Sequence, residues 1–523
     1  MTAGLVWRVL RAEGAAGVAD RLRDRLAEAR RRRSFRPAAA PSPGFRAAVL
    51  NLAAAAPAPR LGGVQAQLLW RLAAEAAQRP VALLYTEPAA AGGGYRLELQ
   101  DGTDRRALYL PPLTQAGGGA RAAGTLAPLP GIALDDPELE RAVGWAAAHC
   151  GAAALQVEGL AAMPLASLLR LRRTGMALVL AIHDFAAFCP RPNLFEAVAP
   201  PPAPMPPTSP TSPTAPTPPT APTPPTSPTS GRFCHYSRDA ERCACCLGRT
   251  AAGLAPGFQE SRRELARQLL ASAAAVVYPS SFLARAHDEL FAGAGRAAAR
   301  VIAPAGSPVG TAATPDRALP RAPRHIAWVG AVQPHKGALV FEAAVERLAA
   351  AGRRPRLSAY GGGDRDILAR WRRLPGLRVR GYYRAGSLPA LLRRDAVDLA
   401  LLLSVVPESY GLALDECAAA AVPVVAFDLG APAERIAAAG SGLLLAAPLA
   451  DDPAAAGAAL ATLLADLLDG RLAVPPPPPA ETPPRAETPP PAAGASSRPP
   501  GRSTAAAAAA AWIELYRQLG MTD

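Results

Sequence analysis

The sequence contains almost no lysine. All but one of its 56 basic residues are arginine, and the exception is Lys336. Asparagine is nearly as rare, since it occurs only at Asn51 and Asn193. Arginine and lysine serve equally well on most solvated surfaces, but a narrow site that must admit a compact ammonium group requires lysine. The single lysine is therefore a candidate functional residue.

Long uncharged apolar runs are also absent. No run of 18 apolar residues lacks a charged residue, so we expect no membrane-spanning helix. Residues 1–14 carry arginine within their apolar run and have no small-residue cleavage site, so we expect no secretory signal peptide. The seven cysteines are an odd number. Together with the missing signal, they favour a reducing compartment and a cytoplasmic location.

Proline and glycine, by contrast, are abundant, with 58 and 45 residues in a chain of 523. Residues 200–230 are a Pro/Thr/Ser repeat and residues 475–503 are Pro-rich. Such segments cannot form a core, so we expect both to be disordered. The chain is long enough for two or three domains, and its hydrophobic content of 50% allows a large core.

Arginine gives the chain a formal charge of +14. Residues 1–45 include the run Arg30–Arg33, and we predict a basic helical extension there. This extension is either a solvated cap on the main body or a peripheral contact with anionic lipid on the inner face of a membrane. No aromatic-rich basic groove accompanies the charge, so we expect no specific nucleic-acid partner.

The order of apolar strands and helices predicts an α/β protein built on parallel sheets. We expect two Rossmann-like, doubly wound domains at residues 46–310 and 324–474, joined by a linker at residues 311–323. A final helix within residues 504–523 follows the second Pro-rich segment. We expect the site residues in the segments that directly follow the strands, because ligands of open α/β sheets bind at the carboxyl edge of the sheet.

Candidate residues in the first domain follow two strands. The strand at 47–52 is followed by Gly62, Gly63 and a helix, an arrangement that lets backbone amides face a phosphate or a sugar. A very apolar strand at 176–182 ends in His183, which places this histidine at the carboxyl edge of the sheet. The alternatives are an ordinary turn at the glycine pair and a half-buried structural histidine.

Candidate residues in the second domain also follow strands. The strand at 325–330 ends in Gly330, and Lys336 and Gly337 follow at a helix start. Backbone amides at a helix N-terminus attract anions, and an ammonium group beside them suits a phosphate.

A second strand-to-helix turn carries Glu408 and Glu416 on either side of Gly411. Glycine lets the backbone come close to a ligand, and carboxylates accept hydrogen bonds from hydroxyl groups. Anion-binding amides beside such carboxylates suggest a ligand with both phosphates and sugars. The alternative is an ordinary acidic helix start, which the helix dipole favours.

Five cysteines, Cys189, Cys234, Cys243, Cys245 and Cys246, flank the Pro/Thr/Ser repeat. Cys243 and Cys246 have metal-knuckle spacing, and with Cys189 and Cys234 they suggest a four-thiolate structural zinc site that fastens both ends of the repeat. Free thiols and a disulfide are the alternatives.

The stretch from Glu408 to Glu416 resembles the E-x7-E motif of the retaining glycosyltransferases of family 4, which have the GT-B fold, two Rossmann-like domains facing a cleft. The resemblance implies that Glu408 holds the donor hexose, that Glu416 holds the nucleotide ribose, and that Lys336 binds the diphosphate. It also implies that His183 lies beside the donor sugar. Further donor-binding positions implied by the resemblance are Gly62, Gly63, Gly330, Gly337, Ser409, Tyr410, Gly411 and Leu412.

The implied activity is transfer of a hexose from a UDP-, GDP- or ADP-sugar to a saccharide, lipid or other acceptor, with no cofactor required for catalysis. One departure from the family pattern is Ala331, which stands where an arginine often contacts the diphosphate. A catalytically silent GT-B module that binds a sugar nucleotide or a glycan is therefore an alternative. A zinc-bearing nucleic-acid binder is a second alternative, suggested by the charge and the cysteines.

Overall fold

The computed structural model describes only part of the chain, namely residues 36–37, 45–55, 63–86, 94–111, 133–197, 231–248, 254, 257–306, 322–477 and 504–521. Gly62 and the Pro/Thr/Ser repeat at 200–230 lie outside these residues. So do nearly all of the basic extension, the interdomain linker and the second Pro-rich segment. The predictions made for them, including the membrane contact, stay predictions.

Nine strands form the first sheet in the order β1-β5-β4-β3-β2-β6-β7-β10-β11. Their bounds are β1 (Arg36–Pro37), β2 (Val49–Ala53), β3 (Val81–Thr86), β4 (Tyr95–Asp101), β5 (Asp104–Leu110), β6 (Ala154–Glu158), β7 (Ala177–Ala181), β10 (Ala275–Tyr278) and β11 (Ala299–Val301). The pairs β3–β4 and β4–β5 are antiparallel and the other pairs are parallel. A two-stranded antiparallel sheet, β8 (Phe195–Ala197) and β9 (Gly231–Phe233), brackets the Pro/Thr/Ser repeat.

Six parallel strands form the second sheet in the order β14-β13-β12-β15-β16-β17. Their bounds are β12 (His325–Val329), β13 (Arg356–Tyr360), β14 (Leu377–Gly381), β15 (Leu399–Leu402), β16 (Val424–Phe427) and β17 (Leu443–Leu445). The order reverses at β12, so the loops after β12 and β15 lie at the topological switch point, where ligands of such sheets bind.

Thirteen α-helices connect and cover the strands in the described residues. They are α1 (Gly63–Ala76), α2 (Pro137–Cys150), α3 (Leu165–Arg173), α4 (Ala240–Gly248), α5 (Phe258–Ser272), α6 (Ser281–Leu290), α7 (Ala338–Ala350), α8 (Arg365–Trp371), α9 (Leu388–Arg394), α10 (Leu412–Ala419), α11 (Gly430–Ala439), α12 (Pro453–Leu468) and α13 (Ala505–Gln518). None of these helices is long and apolar enough to cross a membrane.

Local sequence explains where several helices begin. Asp136 caps α2 by accepting hydrogen bonds from the amides of Glu138 and Leu139 at 3.0 and 3.2 Å. Pro137 occupies the first turn of this helix, where its missing N–H costs nothing, and Gly151 ends it in the left-handed conformation. Ser280 caps α6 in the same way, through the amide of Leu283.

The terminal helix α13 lies on the first domain. It packs against α1 and covers one face of the first sheet, where Trp512, Leu515 and Tyr516 join a buried cluster with strand residues such as Val49 and Val179. The two Rossmann-like sheets and this returning helix make up the predicted GT-B fold, so the fold prediction is confirmed.

Candidate functional site

The loop that carries Lys336 is held rigidly by its glycine. After β12 the chain forms a 3-10 helix, Pro334–Lys336, and Gly337 then adopts φ +82° before α7 begins. A methyl group at Gly337 would lie 1.8 Å from the carbonyl oxygen of Leu403, so only glycine fits this close approach. Lys336 is therefore fixed two residues before the first residue of a helix, where amides and the ammonium group can act on the same anion.

Lys336 and Glu408 form an ion pair between these two loops. The Lys336 Nζ lies 2.8 Å from Glu408 Oε1, and the two side chains are 30% and 26% exposed. Burial opposes ionisation of Glu408, but the charge and hydrogen bond of Lys336 outweigh it and hold the pKa of the carboxyl below its ordinary value. The pair is thus charged and reachable, and an incoming diphosphate can share the ammonium group.

The backbone of Glu408 is pinned by the neighbouring helix start. The Ala431 amide donates to the Glu408 carbonyl at 2.9 Å. A methyl group at Gly430 would lie 2.6 Å from the Glu408 nitrogen, and Gly430 has φ +71°. Gly411, at φ +82°, then turns the chain into α10. The backbone at Glu408 is therefore closely packed against Gly430, and Gly411 supplies the positive φ of the turn between the two glutamates.

Glu416 lies on α10, apart from the Lys336–Glu408 pair. Its Oε1 accepts a hydrogen bond from the Gly386 amide at 3.1 Å. Burial raises the pKa of Glu416 to about 7, the Gly386 hydrogen bond opposes this rise, and the charge of Asp415 adds to it. The two glutamates thus lie in different electrostatic surroundings, one beside a cation and one without that compensation.

The residues between the glutamates connect the domains and support the turn. The Ser409 carbonyl accepts a hydrogen bond from Ser280 Oγ in the first domain at 2.6 Å. Tyr410 is buried, and the Arg435 guanidinium lies 4.1 Å from the centre of its ring. These contacts are structural, and a role of Ser409 and Tyr410 in donor binding stays a prediction. At Gly330 a methyl group would meet no atom within 4 Å, so space is open there.

His183 lies two residues beyond the end of β7, between two polar side chains of the first domain. Gln67 Nε2 is 3.4 Å from His183 Nδ1, and Glu158 Oε2 is 3.5 Å from His183 Nε2. Glu158 ends β6, and its register partner on β7 is Ala181, so the parallel pairing delivers both side chains to the same edge of the sheet. The prediction that His183 lies at the carboxyl edge is correct.

Helix α1 connects His183 to the second domain. A methyl group at Gly63, its first residue, would lie 2.5 Å from Leu412 Cδ1, at the start of α10. One turn further along the same helix, Gln67 reaches His183. Helix α1 therefore contacts the start of α10 through Gly63 and His183 through Gln67. Lys336 contacts Glu408, which precedes Leu412 by four residues.

A hairpin between the domains adds a contact that the sequence did not suggest. Strands β8 and β9 leave the first domain soon after His183, and the ring of Phe195 packs 5.9 Å from the ring of His335, the neighbour of Lys336. Beside the hairpin, His235 Nε2 lies 2.8 Å from Asp451 Oδ1 of the second domain. Burial and then the charge of Lys336 lower the pKa of His335 to about 4, which keeps this ring uncharged at neutral pH.

The predicted zinc site is not supported. Among the described residues, no group of three or more His, Cys, Asp or Glu side chains is arranged to hold a metal ion. Burial raises the pKa of Cys189, to about 11, and also raises the pKa values of Cys234 and Cys246. Cys243 Sγ faces the Ser237 carbonyl at 3.5 Å. Zinc requires thiolates turned toward a common point, and the four cysteines are free thiols in this structure.

Sequence reasoning missed two residues of the site. Glu158 ends a buried strand, which is an unusual position for a carboxylate and could have marked it. Gln67 had no local signal, since only the fold shows that it faces His183.

Comparison with known protein families identifies the second domain. Residues 323–466 match the family described as "Glycosyl transferases group 1". The match covers the domain that carries Lys336, Glu408 and Glu416. The prediction of a glycosyltransferase is confirmed at this level, and membership of family 4 and the retaining stereochemistry stay predictions. No curated protein matches the chain.

Among solved structures, the chain resembles a sucrose-phosphate synthase from Thermosynechococcus elongatus with 14% identity, over 90% of this chain and 99% of that chain, at a TM-score of 0.49. It also resembles HepE from Anabaena, solved with UDP, with 14% identity over 81% and 96% of the two chains, at a TM-score of 0.40. A glycosyltransferase from Rickettsia africae shares 11% identity over 82% and 92%, at a TM-score of 0.43. The fold assignment rests on the topology of the two sheets, and these likenesses carry no functional argument.

Proposed function

We propose that this protein is a retaining glycosyltransferase of family 4 that moves a hexose from a nucleotide-diphosphate sugar to an acceptor, most simply a saccharide. The observation that carries the proposal is the ion pair between Lys336 and Glu408 at the switch point of the second sheet. It lies in the domain that matches the glycosyltransferase family.

The diphosphate is the group that Lys336 recognises. Negative charge grows on the diphosphate as the bond to the hexose breaks, and an ammonium group beside helix-start amides stabilises that charge in the transition state. The role of Glu408 is to hold the hexose hydroxyls, and that of Glu416 is to hold the ribose. Both contribute mainly by orienting the donor.

His183 contacts the donor sugar from the first domain. In the retaining reaction of this family, the acceptor attacks on the face from which the diphosphate leaves, and the diphosphate itself takes the acceptor proton. No protein nucleophile is required, and none is assigned. The donor is a UDP-, GDP- or ADP-sugar, the reaction requires no cofactor, and the enzyme works in the cytoplasm. Contact of the basic extension, residues 1–45, with the inner face of a membrane is a further part of the proposal.

A panel of radiolabelled UDP-, GDP- and ADP-hexoses, incubated with the purified full-length protein and with mixed saccharide acceptors, tests the proposal. We expect turnover with one nucleotide class and a loss of roughly 100-fold or more in the Lys336→Met and Glu408→Gln variants. Arg353→Met is a matched control, because it removes a cation from a surface ion pair with Asp469 in the same domain. Turnover that survives both site substitutions would refute the assignment of these residues.

A catalytically silent module is the second candidate, and Ala331 is the observation that favours it. Ala331 is exposed at the end of β12, where the family pattern often supplies an arginine to the diphosphate. This candidate predicts binding of a sugar nucleotide without turnover. Calorimetry with the same nucleotide sugars, run beside the transfer assay, separates the two functions.

A further inference from the structure

Glu158 is a buried carboxylate that the proposed chemistry does not use. It ends β6, is 8% exposed, and contacts three polar side chains. Gln156 Nε2 donates to its Oε1 at 2.6 Å, Arg71 Nη2 donates to the same oxygen, and its Oε2 faces His183. Burying a carboxylate costs free energy unless it is paired. The three partners of Glu158 therefore suggest that this carboxylate has a role in the protein.

The electrostatic surroundings keep Glu158 ionised. Burial alone would favour the protonated acid, but the charge of Arg71 and the contacts to His183 and Gln156 together outweigh burial and lower the pKa of Glu158 to about 2. Arg71 is itself buried and holds Asn51 Oδ1 at 3.1 Å. The guanidinium therefore holds a charged carboxylate beside the imidazole of His183 at every physiological pH.

The hydrogen bonds of His183 define one orientation of its ring. The amide nitrogen of Gln67 can only donate, so Nδ1 of His183 accepts, and a neutral ring carries its proton on Nε2. Among the residues that the structure describes, that nitrogen has no hydrogen-bond partner of good geometry, and the carboxylate of Glu158 lies 3.5 Å away. An N–H facing a fixed carboxylate selects both the tautomer and the rotation of the ring.

The terminal helix holds Glu158 through two independent contacts. The Trp512 ring lies 4.5 Å from the Arg71 guanidinium carbon, and Arg71 binds Glu158. The Tyr516 hydroxyl donates to Gln156 Oε1 at 2.7 Å, and Gln156 binds Glu158. Trp512 and Tyr516 thus each contact a side chain that binds the carboxylate of Glu158.

We propose that Glu158 is a positioning residue that orients the imidazole of His183, and that the terminal helix α13 keeps Glu158 in place. The inference rests on the proposed function insofar as His183 serves the donor sugar. The pairing itself can be measured without any substrate. A helix joined to the second domain through residues 478–503 then contributes to a site in the first domain.

Selective 15N labelling of histidine tests the pairing in the full-length protein. The chain has only six histidines, so a His183→Gln variant assigns the His183 signals. At a pH that keeps the ring neutral, long-range 1H–15N spectra should show a single Nε2–H tautomer in the wild type. In Glu158→Gln they should show a mixture that contains the Nδ1–H form. An unchanged pattern in Glu158→Gln would overturn the proposal.

Two matched controls separate a direct effect from a general disturbance. Glu75 is a buried carboxylate on Arg71, with its Oε1 3.4 Å from Arg71 Nε, so Glu75→Gln removes a similar group that does not contact His183. For the helix, Tyr516→Phe should give a partial mixture, and Glu514→Gln, on the exposed face of α13, should give none. If Glu75→Gln has the effect of Glu158→Gln, the positioning role is wrong. If Tyr516→Phe leaves the pattern unchanged, the role of the helix is wrong.

Kinetics supplies a second readout once a donor is known. Glu158→Gln should lower kcat by about 10- to 100-fold with little change in KM for the donor, because a misplaced group loses transition-state contact. In the His183→Gln background the same substitution should cause no further loss, because both changes remove one coupled interaction. An additive loss contradicts positioning through His183. If no donor is turned over, the proposed function fails while the spectra still decide the pairing.

Discussion

Replacing Glu416 with glutamine should stabilise the ligand-free protein at pH 8 and weaken its binding of the donor nucleotide. The reason is the pKa of this carboxyl, which burial raises from the ordinary value of 4.5 to about 7. At pH 8 the Glu416 carboxyl is ionised although its buried surroundings favour the protonated form, and this ionisation costs free energy in the folded state. Glutamine has the same shape and no charge, so it removes the cost.

The sign and the size of the effect follow from proton linkage. Because the folded state holds this proton more tightly, the folded protein binds more protons than the unfolded chain between about pH 4.5 and about pH 7. Stability from this group therefore falls as the pH rises through that window and stays low above it. A rise of the pKa from 4.5 to about 7 is worth at most about 3.4 kcal/mol, and partial exposure of Glu416 reduces this to about 1–2 kcal/mol.

Thermal unfolding of the wild type and of Glu416→Gln at pH 5 and pH 8 measures this effect. The variant should unfold a few degrees higher than the wild type at pH 8, and the difference should shrink at pH 5, where most of the wild-type carboxyl is protonated. Asp415→Asn is a control on the same helix, since Asp415 is paired with Arg435 and should lose stability instead. A variant no more stable than the wild type at pH 8 would refute the reasoning.

The same pKa predicts how donor binding depends on pH. If the ribose hydroxyls bind the ionised form of Glu416, the dissociation constant for the preferred nucleotide should rise about tenfold between pH 8 and pH 6, as the ionised fraction falls. Calorimetry across this range tests the expectation. The Glu416→Gln variant should bind more weakly at every pH and should show no such dependence. A dependence that survives in the variant would assign the titration to another group.

Three further substitutions test separate features. Lys336→Arg should fail to restore the activity lost in Lys336→Met, because the planar guanidinium does not fit a site built around a compact ammonium; the transfer assay shows this. Phe195→Ala should raise the dissociation constant for the nucleotide several-fold, because the hairpin packs on His335 beside Lys336, and calorimetry measures it. Gly337→Ala should lower the unfolding temperature more than Gly352→Ala, because both glycines have positive φ but only Gly337 has a carbonyl 1.8 Å from the added methyl group.

Much of the fold could be predicted from local patterns. The strands predicted at 176–182 and 325–330 match β7 (Ala177–Ala181) and β12 (His325–Val329) to within one residue at each end, because an apolar run is a local property of the chain. Helix α2 was missed although Asp136, Pro137 and Gly151 mark its ends. Strand β5 was missed for a physical reason, since most of its residues are exposed or half-buried and no clear hydrophobic alternation reveals it.

The cysteines show how a spacing can mislead. The Cys-x-x-Cys spacing of Cys243 and Cys246 predicted a metal site, but spacing does not state where the sulfur atoms point. In the folded protein these two residues lie on one short helix, α4. Among the residues that the structure describes, no three of the His, Cys, Asp or Glu side chains are arranged to hold a metal ion.

The sequence alone determined most of the buried strands and the helices that follow them, the loops that need glycine, and the unusual position of the single lysine. These features depend on neighbouring residues, because the spacing of apolar residues, helix capping and backbone conformation are decided within a few positions of the sequence. Only the tertiary structure decided that Lys336 meets Glu408, 72 residues later, and that Tyr516 holds Gln156 beside Glu158 across 360 residues. Such pairs depend on the strand order and on where the last helix docks, which no local pattern of residues encodes.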